Sequence, residues 1–225
     1  KPLEKLSKRG FEVELLPVDE RGCLDLDYAI SRVRETTRFL SIMHVNNENG
    51  AIFDTAEVSR RAKRKNPDLL LHVDAVQSFC KLELFPREMG VDFVSVAAHK
   101  LHGPKGIGAL YVRKGVNIGP LILGGGQENG LRSGTQNLPA ICGFAEAVSK
   151  RNALRKAELA HVKGLKSELA KELEVLFENR VRILSGKDTT PYILTVAFEK
   201  IKSEVMLHHL AEKGIYVSSG SACSS

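Results

Sequence analysis

The chain has no tryptophan, four tyrosines, nine phenylalanines and only four cysteines in 225 residues. So few aromatic side chains, with no nucleic-acid-binding signature, argue against nucleic-acid binding even at a net charge of +6. The excess of lysine and arginine lies mainly in two stretches that read as helical faces, Arg60–Lys65 and Lys150–Lys171. Such faces are usually just solvated, and an anionic substrate or cofactor accounts for the charge equally well. The cysteines, Cys23, Cys80, Cys142 and Cys223, show no CxxC spacing, and no histidine follows at zinc-ligand spacing. This is too sparse for a disulfide framework, so a reducing, cytoplasmic setting and no structural metal are expected. No run reaches the roughly 18 apolar residues of a membrane helix. The opening KPLEKLSKRG lacks both an initiator Met and the apolar core of a signal peptide. It starts inside what reads as a helix, so a segment of a longer protein is expected.

What is present is the composition of an ordinary folded domain, 43% hydrophobic and 27% charged. Strand patterns alternate with helical ones. Phe11–Val18 has strand character, and Leu26, Ala29, Ile30 and Val33 follow at helical spacing. Arg38–Val45 is nearly continuous in apolar residues, as in a strand covered on both faces. Asp54 with Glu57 three residues on predicts a capped helix to about Lys65. Leu69–Val73, Asp92–Ala98 and Gly108–Arg113 read as further strands, and together these elements predict an α/β layer with a largely parallel sheet. Beyond the glycine-rich Gly124–Thr135 a helical region reaches about Glu178, with Val162, Leu165, Leu169, Leu173 and Leu176 on one face. Strands at Val181–Leu184, Tyr192–Phe198 and Ile215–Ser218, with a helix at Ser203–Lys213, predict the start of a smaller α+β domain. The expected division is 1–145 for the large domain, 146–179 for a connecting helix and 180–225 for the small domain.

Polar clusters fall where the strands end. NNENG follows the Arg38 strand, DAVQS the Leu69 strand and HKLHGPKG the Asp92 strand. In open α/β sheets, sites gather at the carboxyl ends of strands, so three loops are expected to face one crevice. Lys100 is either a turn lysine at the surface or an amine freed for Schiff-base chemistry by an apolar setting. Asp74 alone reads as a turn residue. Paired with Lys100 and Gln77, it suits a carboxylate that holds a protonated pyridine nitrogen. Gly124–Thr135 matches no phosphate-loop motif. His44, His72 and His102 read as packed or hydrogen-bonded histidines, and Cys80 and Cys142 as small core residues. Cys223, in SSGSACSS, is either a plain cysteine or a thiol in a sterically open loop, able to reach outward.

Five blocks in order, MHVNNENG (Met43–Gly50), HVDAVQS (His72–Ser78), AHKLHGPKGIGALYVRKG (Ala98–Gly115), GGGQENGLRSGTQN (Gly124–Asn137) and SSGSACSS (Ser218–Ser225), carry a resemblance to the cysteine desulfurases. These are pyridoxal-phosphate enzymes of the type I aminotransferase fold, and the match is to the subgroup with a long cysteine loop. The resemblance implies pyridoxal 5'-phosphate as cofactor, Lys100 as its Schiff-base lysine and proton shuttle, and Asp74 as partner of the ring nitrogen. It implies Gln77 and Asn47 near the ring phenolate oxygen, His99 as a phosphate ligand, and Thr135 reaching the phosphate of a neighbouring subunit in a homodimer. Cys223 would take sulfur from L-cysteine as a persulfide, leaving alanine, and pass it to an iron–sulfur scaffold or another sulfur acceptor.

Two departures stand inside the chain. Ala97 occupies a position where the family often has a serine hydroxyl on the phosphate, and Asn129 stands where arginine is usual. The family's phosphate-gripping Gly-Thr-Thr, its ring-stacking histidine and its carboxylate-binding arginine lie outside these residues, so the chain corresponds to the middle of a family member and is expected to be inactive by itself. A selenocysteine lyase, or a catalytically silent paralogue that binds a partner, are the alternatives.

Overall fold

The computed structural model describes residues 2–220. A four-stranded sheet is ordered β1 (Phe39–Met43), β2 (Leu70–Asp74), β3 (Phe93–Ala97), β4 (Gly108–Val112). The first three strands are parallel and β4 returns antiparallel to β3, so the mostly parallel α/β layer is present. Gly108 opens β4 against the Val96 carbonyl, where an added Cβ would stand 2.6 Å from the oxygen. Only glycine fits that return.

Side chains alternate across a strand, and β2 uses both faces. Leu71 and Val73, with Ala75 just beyond, turn into the core and are 0% exposed, while His72 and Asp74 turn the other way. The core face is closed by α2 (Leu26–Arg32) and α3 (Thr55–Lys65), whose Val58 and Ala62 pack with Val33, Leu69, Val91 and Val94. The Asp54 carboxylate caps α3 by accepting the Glu57 N–H at 2.9 Å. Glu57 does not reach back to complete the box; both of its oxygens take Arg60 instead. Much of the basic Arg60–Lys65 stretch is likewise engaged within the fold. Arg61 meets Asp27 at 2.6 Å, Lys63 meets buried Asp92 at 2.7 Å, and Lys65 donates to the Ile30 and Ser31 carbonyls.

A 40-residue helix, α4 (Leu138–Phe177), leaves the sheet. It starts eight residues before the expected connecting helix, because Asn137 caps it by accepting the Ala140 N–H at 3.2 Å. Its buried residues, Ala140, Phe144 and Ala147, all lie in the first three turns. A two-stranded antiparallel sheet of β5 (Val181–Ile183) and β6 (Val196–Phe198) follows, then α5 (Ser203–Glu212). A short helix, α1 (Pro2–Lys8), begins the described chain.

Several expectations do not hold. Phe11–Val18 is not a strand: no described strand pairs with it, Leu15 is 77% exposed, and Glu12 and Glu14 reach Arg34 and Arg32 instead. Ile215–Ser218 is likewise irregular, with Tyr216 86% exposed and no strand among the described residues paired with its backbone. Only the last three residues of Tyr192–Phe198 pair as a strand. β1 is a sheet edge with Phe39 exposed, not a strand covered on both faces. Cys142 is exposed because α4 turns that position outward, whereas Cys80 is buried as expected. Among the described residues no helix is long and apolar enough to cross a membrane.

Candidate active site at the carboxyl edge of the sheet

Parallel register puts the three polar loops at one edge. Met43 of β1 pairs with Asp74 of β2, and Asp74 pairs with Ser95 of β3. The segments that continue from these residues carry Asn47, then Asp74 and Gln77, then His99 and Lys100. The sheet therefore brings the predicted residues to a common side, as the strand ends implied.

Each loop is built by its own sequence. In NNENG the Asn46 carbonyl group of the side chain accepts the N–H groups of Glu48 and Asn49 at 2.8 and 3.1 Å. Asn49 repeats the device with Ala51 at 2.9 Å. Short polar side chains bonding their own backbone are what tight turns use. Gly50, at φ +80°, brings this loop against Thr190 and Ile193, and its carbonyl accepts the Thr190 N–H at 2.7 Å. Ser185 donates to the Asn49 carbonyl at 2.8 Å. The loop bearing Asn47 is thus tied to the segment after β5. Asn46, Asn49 and Ser185 were not singled out from the sequence; the N-N-x-N spacing was the available signal for the first two.

Asp74 is half-buried and its Oδ1 accepts the Val76 N–H at 3.0 Å, which fixes the carboxylate's direction. No described ion pair engages it. Two residues earlier His72 spans the sheet, its two ring nitrogens 2.8 Å from Ser41 and Ser95 hydroxyls. Burial holds the His72 imidazole below its ordinary range, and the Asp74 charge opposes that only in part. His44, also held low by burial against an opposing Asp54, contacts Ser78 at 2.9 Å. Its backbone N–H donates to the Asp74 carbonyl at 2.9 Å. Both histidines are structural struts under the Asp74 loop, as expected; His102 is not, being exposed at φ +62° where the next turn closes.

Lys100 lies on a single 3-10 turn, Ala98–Leu101, after β3. Ala98 and Leu101 are the anchors, at 0% and 1% exposure, packed on Phe144 and Ala147 of α4. His99 and Lys100, between the anchors, are exposed. Of the two readings of Lys100, the structure shows the surface turn lysine: the apolar part of the turn faces α4, and Lys100 is exposed. Ala97 offers no side-chain cap to this turn.

The glycine-rich segment closes on itself. Ser133 accepts the Gly126 N–H at 3.3 Å and Gln127 accepts the Gly134 N–H at 3.0 Å. Asn129 adopts φ +56°, a left-handed conformation that asparagine tolerates better than arginine. Thr135 is exposed, and no described contact joins it to Lys100. Cys223 lies outside the described residues. A groove of about 570 Å³ opens elsewhere, between the start of α3 and the Lys187–Thr189 turn, and none of the predicted cofactor residues lines it.

The chain belongs to the aminotransferase class-V family, which matches residues 1–225. Within it the chain is similar to the cysteine desulfurase IscS of Dictyoglomus turgidum, 39% identical over 224 residues, covering 100% of this chain and 56% of that protein. Among solved structures a NIFS-like protein superposes with a TM-score of 0.92 at 42% identity, over 96% of this chain and 59% of the other. A structure titled "SspA in complex with cysteine" follows at TM-score 0.79 and 32% identity, over 99% and 60%. The chain thus spans little more than half the length of these relatives. Aminotransferase class-V cysteine desulfurases use pyridoxal phosphate. The donor set fits that group. A half-buried carboxylate with no described ionic partner suits a protonated ring nitrogen, the half-buried Gln77 amide makes no described hydrogen bond, and Lys100, after the neighbouring strand β3, is exposed.

Proposed function

We propose that the complete protein is a cysteine desulfurase, converting L-cysteine to L-alanine and holding the sulfur as a persulfide. The observation that carries it is the parallel register that sets Asn47, Asp74, Gln77, His99 and Lys100 along one sheet edge. In this proposal Lys100 holds pyridoxal phosphate covalently, Asp74 pairs with its ring nitrogen, Gln77 and Asn47 bond its phenolate oxygen, and His99 holds its phosphate. Thr135, exposed on its loop, reaches the phosphate of a second protomer, which makes the protein a homodimer. When bound, the cofactor supplies an electron sink for the substrate α-carbon. Lys100 takes the proton from that carbon and returns one during release. The Cys223 thiolate attacks the substrate sulfur; the substrate C–S bond breaks, its electron pair passes to the departing three-carbon skeleton, and protonation there gives alanine. The new S–S bond on Cys223 then serves a sulfur-accepting protein or an iron–sulfur scaffold. The domain division at 145/146 and 179/180 and a cytoplasmic setting belong to the same proposal, the latter supported by sparse cysteines, of which the described Cys23, Cys80 and Cys142 are free thiols.

The test is paired substitution in the complete protein. Lys100→Ala should abolish borohydride trapping of the cofactor. Cys223→Ser should keep the cofactor and its spectral response to cysteine, yet release no alanine. Trapping at another lysine, or full alanine release without Cys223, overturns the assignment; undiminished release from selenocysteine alone by Cys223→Ser identifies a selenocysteine lyase instead.

A further inference from the structure

Away from the residues just assigned, one cluster gathers unusual features. Lys81 ends the turn that begins at Asp74, and its Nζ lies 5.3 Å from the centroid of the Tyr192 ring. The Arg151 guanidinium of α4 lies 5.9 Å from the same centroid. Both fall within cation–π range. Arg151 is 13% exposed and pairs with Glu158, while Arg155 one turn on reaches Glu83 at 3.6 Å. The Tyr192 hydroxyl is buried beside Arg151 without a well-formed hydrogen bond, and the ring makes the contact with Lys81. Burial, with Arg151 and Lys100 nearby, pushes the Lys81 ammonium down to about 8. Three cations are thus crowded together, and Tyr192 presents a π face to two of them.

The segment being held is under tension. From Asp74 to Leu82 it is a run of tight turns, with Ser78 and Phe79 N–H groups on the Ala75 carbonyl and Lys81 and Leu82 N–H groups on the Ser78 carbonyl. Within it Cys80 sits at φ +58°, a strained conformation for a side chain of that size, and it persists only where neighbours over-determine it. Phe144 and Leu101 pack on one side of Cys80; the Lys81–Tyr192 contact is the tie that reaches it from beyond β5.

We propose that Tyr192 is a positioning residue: by holding Lys81 and Arg151 against its ring it fixes the Asp74–Leu82 turn, and through it the Asp74 carboxylate and the Gln77 amide. The hold on the turn stands by itself; its consequence for the cofactor rests on the function proposed above.

The experiment uses the complete protein with Tyr192→Leu, Tyr192→Phe and Lys81→Met. Amide exchange over residues 75–82 is measured without cofactor, and pyridoxal phosphate affinity and visible spectrum with it. Tyr192→Leu should speed exchange about tenfold and weaken pyridoxal phosphate about tenfold with a shifted band, while Tyr192→Phe keeps wild-type values. Lys81→Met should reproduce Tyr192→Leu, and the double variant should add nothing. Unchanged exchange in Tyr192→Leu and Lys81→Met, or a Phe variant as damaged as Leu, overturns the clamp. Faster exchange with an unaltered spectrum and affinity overturns the positioning role. A wild-type protein that takes up no pyridoxal phosphate sinks the proposed function, and the exchange result still decides the clamp. If Tyr192→Leu fails to fold, Lys81→Met carries the test.

Discussion

Leu69, Leu71, Val73 and Val94 in the sheet half are at most 2% exposed, whereas Leu165, Leu169, Val175 and Leu176 on the far part of α4 are 51–66% exposed. Both halves have apolar residues at a regular spacing. The sheet half meets its own helices and forms a core. The far part of α4 meets only β5 and its neighbours, and most of its stripe stays in contact with water. Periodicity says which face requires cover, not whether the cover lies in the same chain.

The comparison breaks or holds on matched substitutions. Leu71→Ala removes a side chain with 0% exposure, and about 3 kcal/mol of stability should be lost in urea unfolding. Leu169→Ala, the same chemistry on the exposed stripe, should cost less than about 0.5 kcal/mol. Similar losses at both positions would erase the distinction.

A second contrast is electrostatic. Asp92 is 0% exposed and is met by Lys63 at 2.7 Å, Arg113 at 2.6 Å and the Leu71 N–H at 2.7 Å. Burial alone would raise its carboxyl, but these partners outweigh it and hold the group below the usual range. Its contribution is therefore present above the unfolded value near 3.9 and lost as pH falls through the lower folded value. Asp92→Asn should cost about 2 kcal/mol at neutral pH and flatten the acid limb of the stability curve. Breaking an exposed pair on α4, such as Lys150–Glu146 at 3.2 Å, should cost far less at neutral pH.

The boundary between the halves titrates at the other end. Lys81, at about 8 in the folded chain against an ordinary 10.5, binds its proton more tightly when unfolded. Its contribution to stability should therefore rise as pH climbs from about 8 to about 10.5, and Lys81→Met should remove that rise. The smallest effect is expected from Leu169→Lys. The sheet half should unfold unchanged, while binding of an apolar dye by the exposed stripe should fall; undiminished dye binding would place the dye elsewhere on the surface.

Legibility followed the range of the interactions involved. Local chemistry could be read directly: the Asp54 cap, the turn-forming asparagines of NNENG, and the strand-ending clusters that the parallel register brings to one edge. Phe11–Val18 and Ile215–Ser218 have strand composition and no strand, because a strand requires a neighbour to take its backbone hydrogen bonds. The exposure of Lys100 stayed open in the sequence, since the packing of Ala98 and Leu101 on α4 decides which way the turn faces. The Lys81–Tyr192 contact joins positions separated by more than a hundred residues, and no pattern along the chain announces it.

Sequence alone determined the alternation of strands and helices, the family, and the identity of the residues gathered at the sheet edge, because each rests on spacing and side-chain type. Tertiary structure alone decided which apolar faces are covered, which way Lys100 and Cys142 point, and what holds the Asp74 turn. Those outcomes depend on close packing between segments far apart in the chain, and burial, charge compensation and cation–π contact exist only once the segments meet.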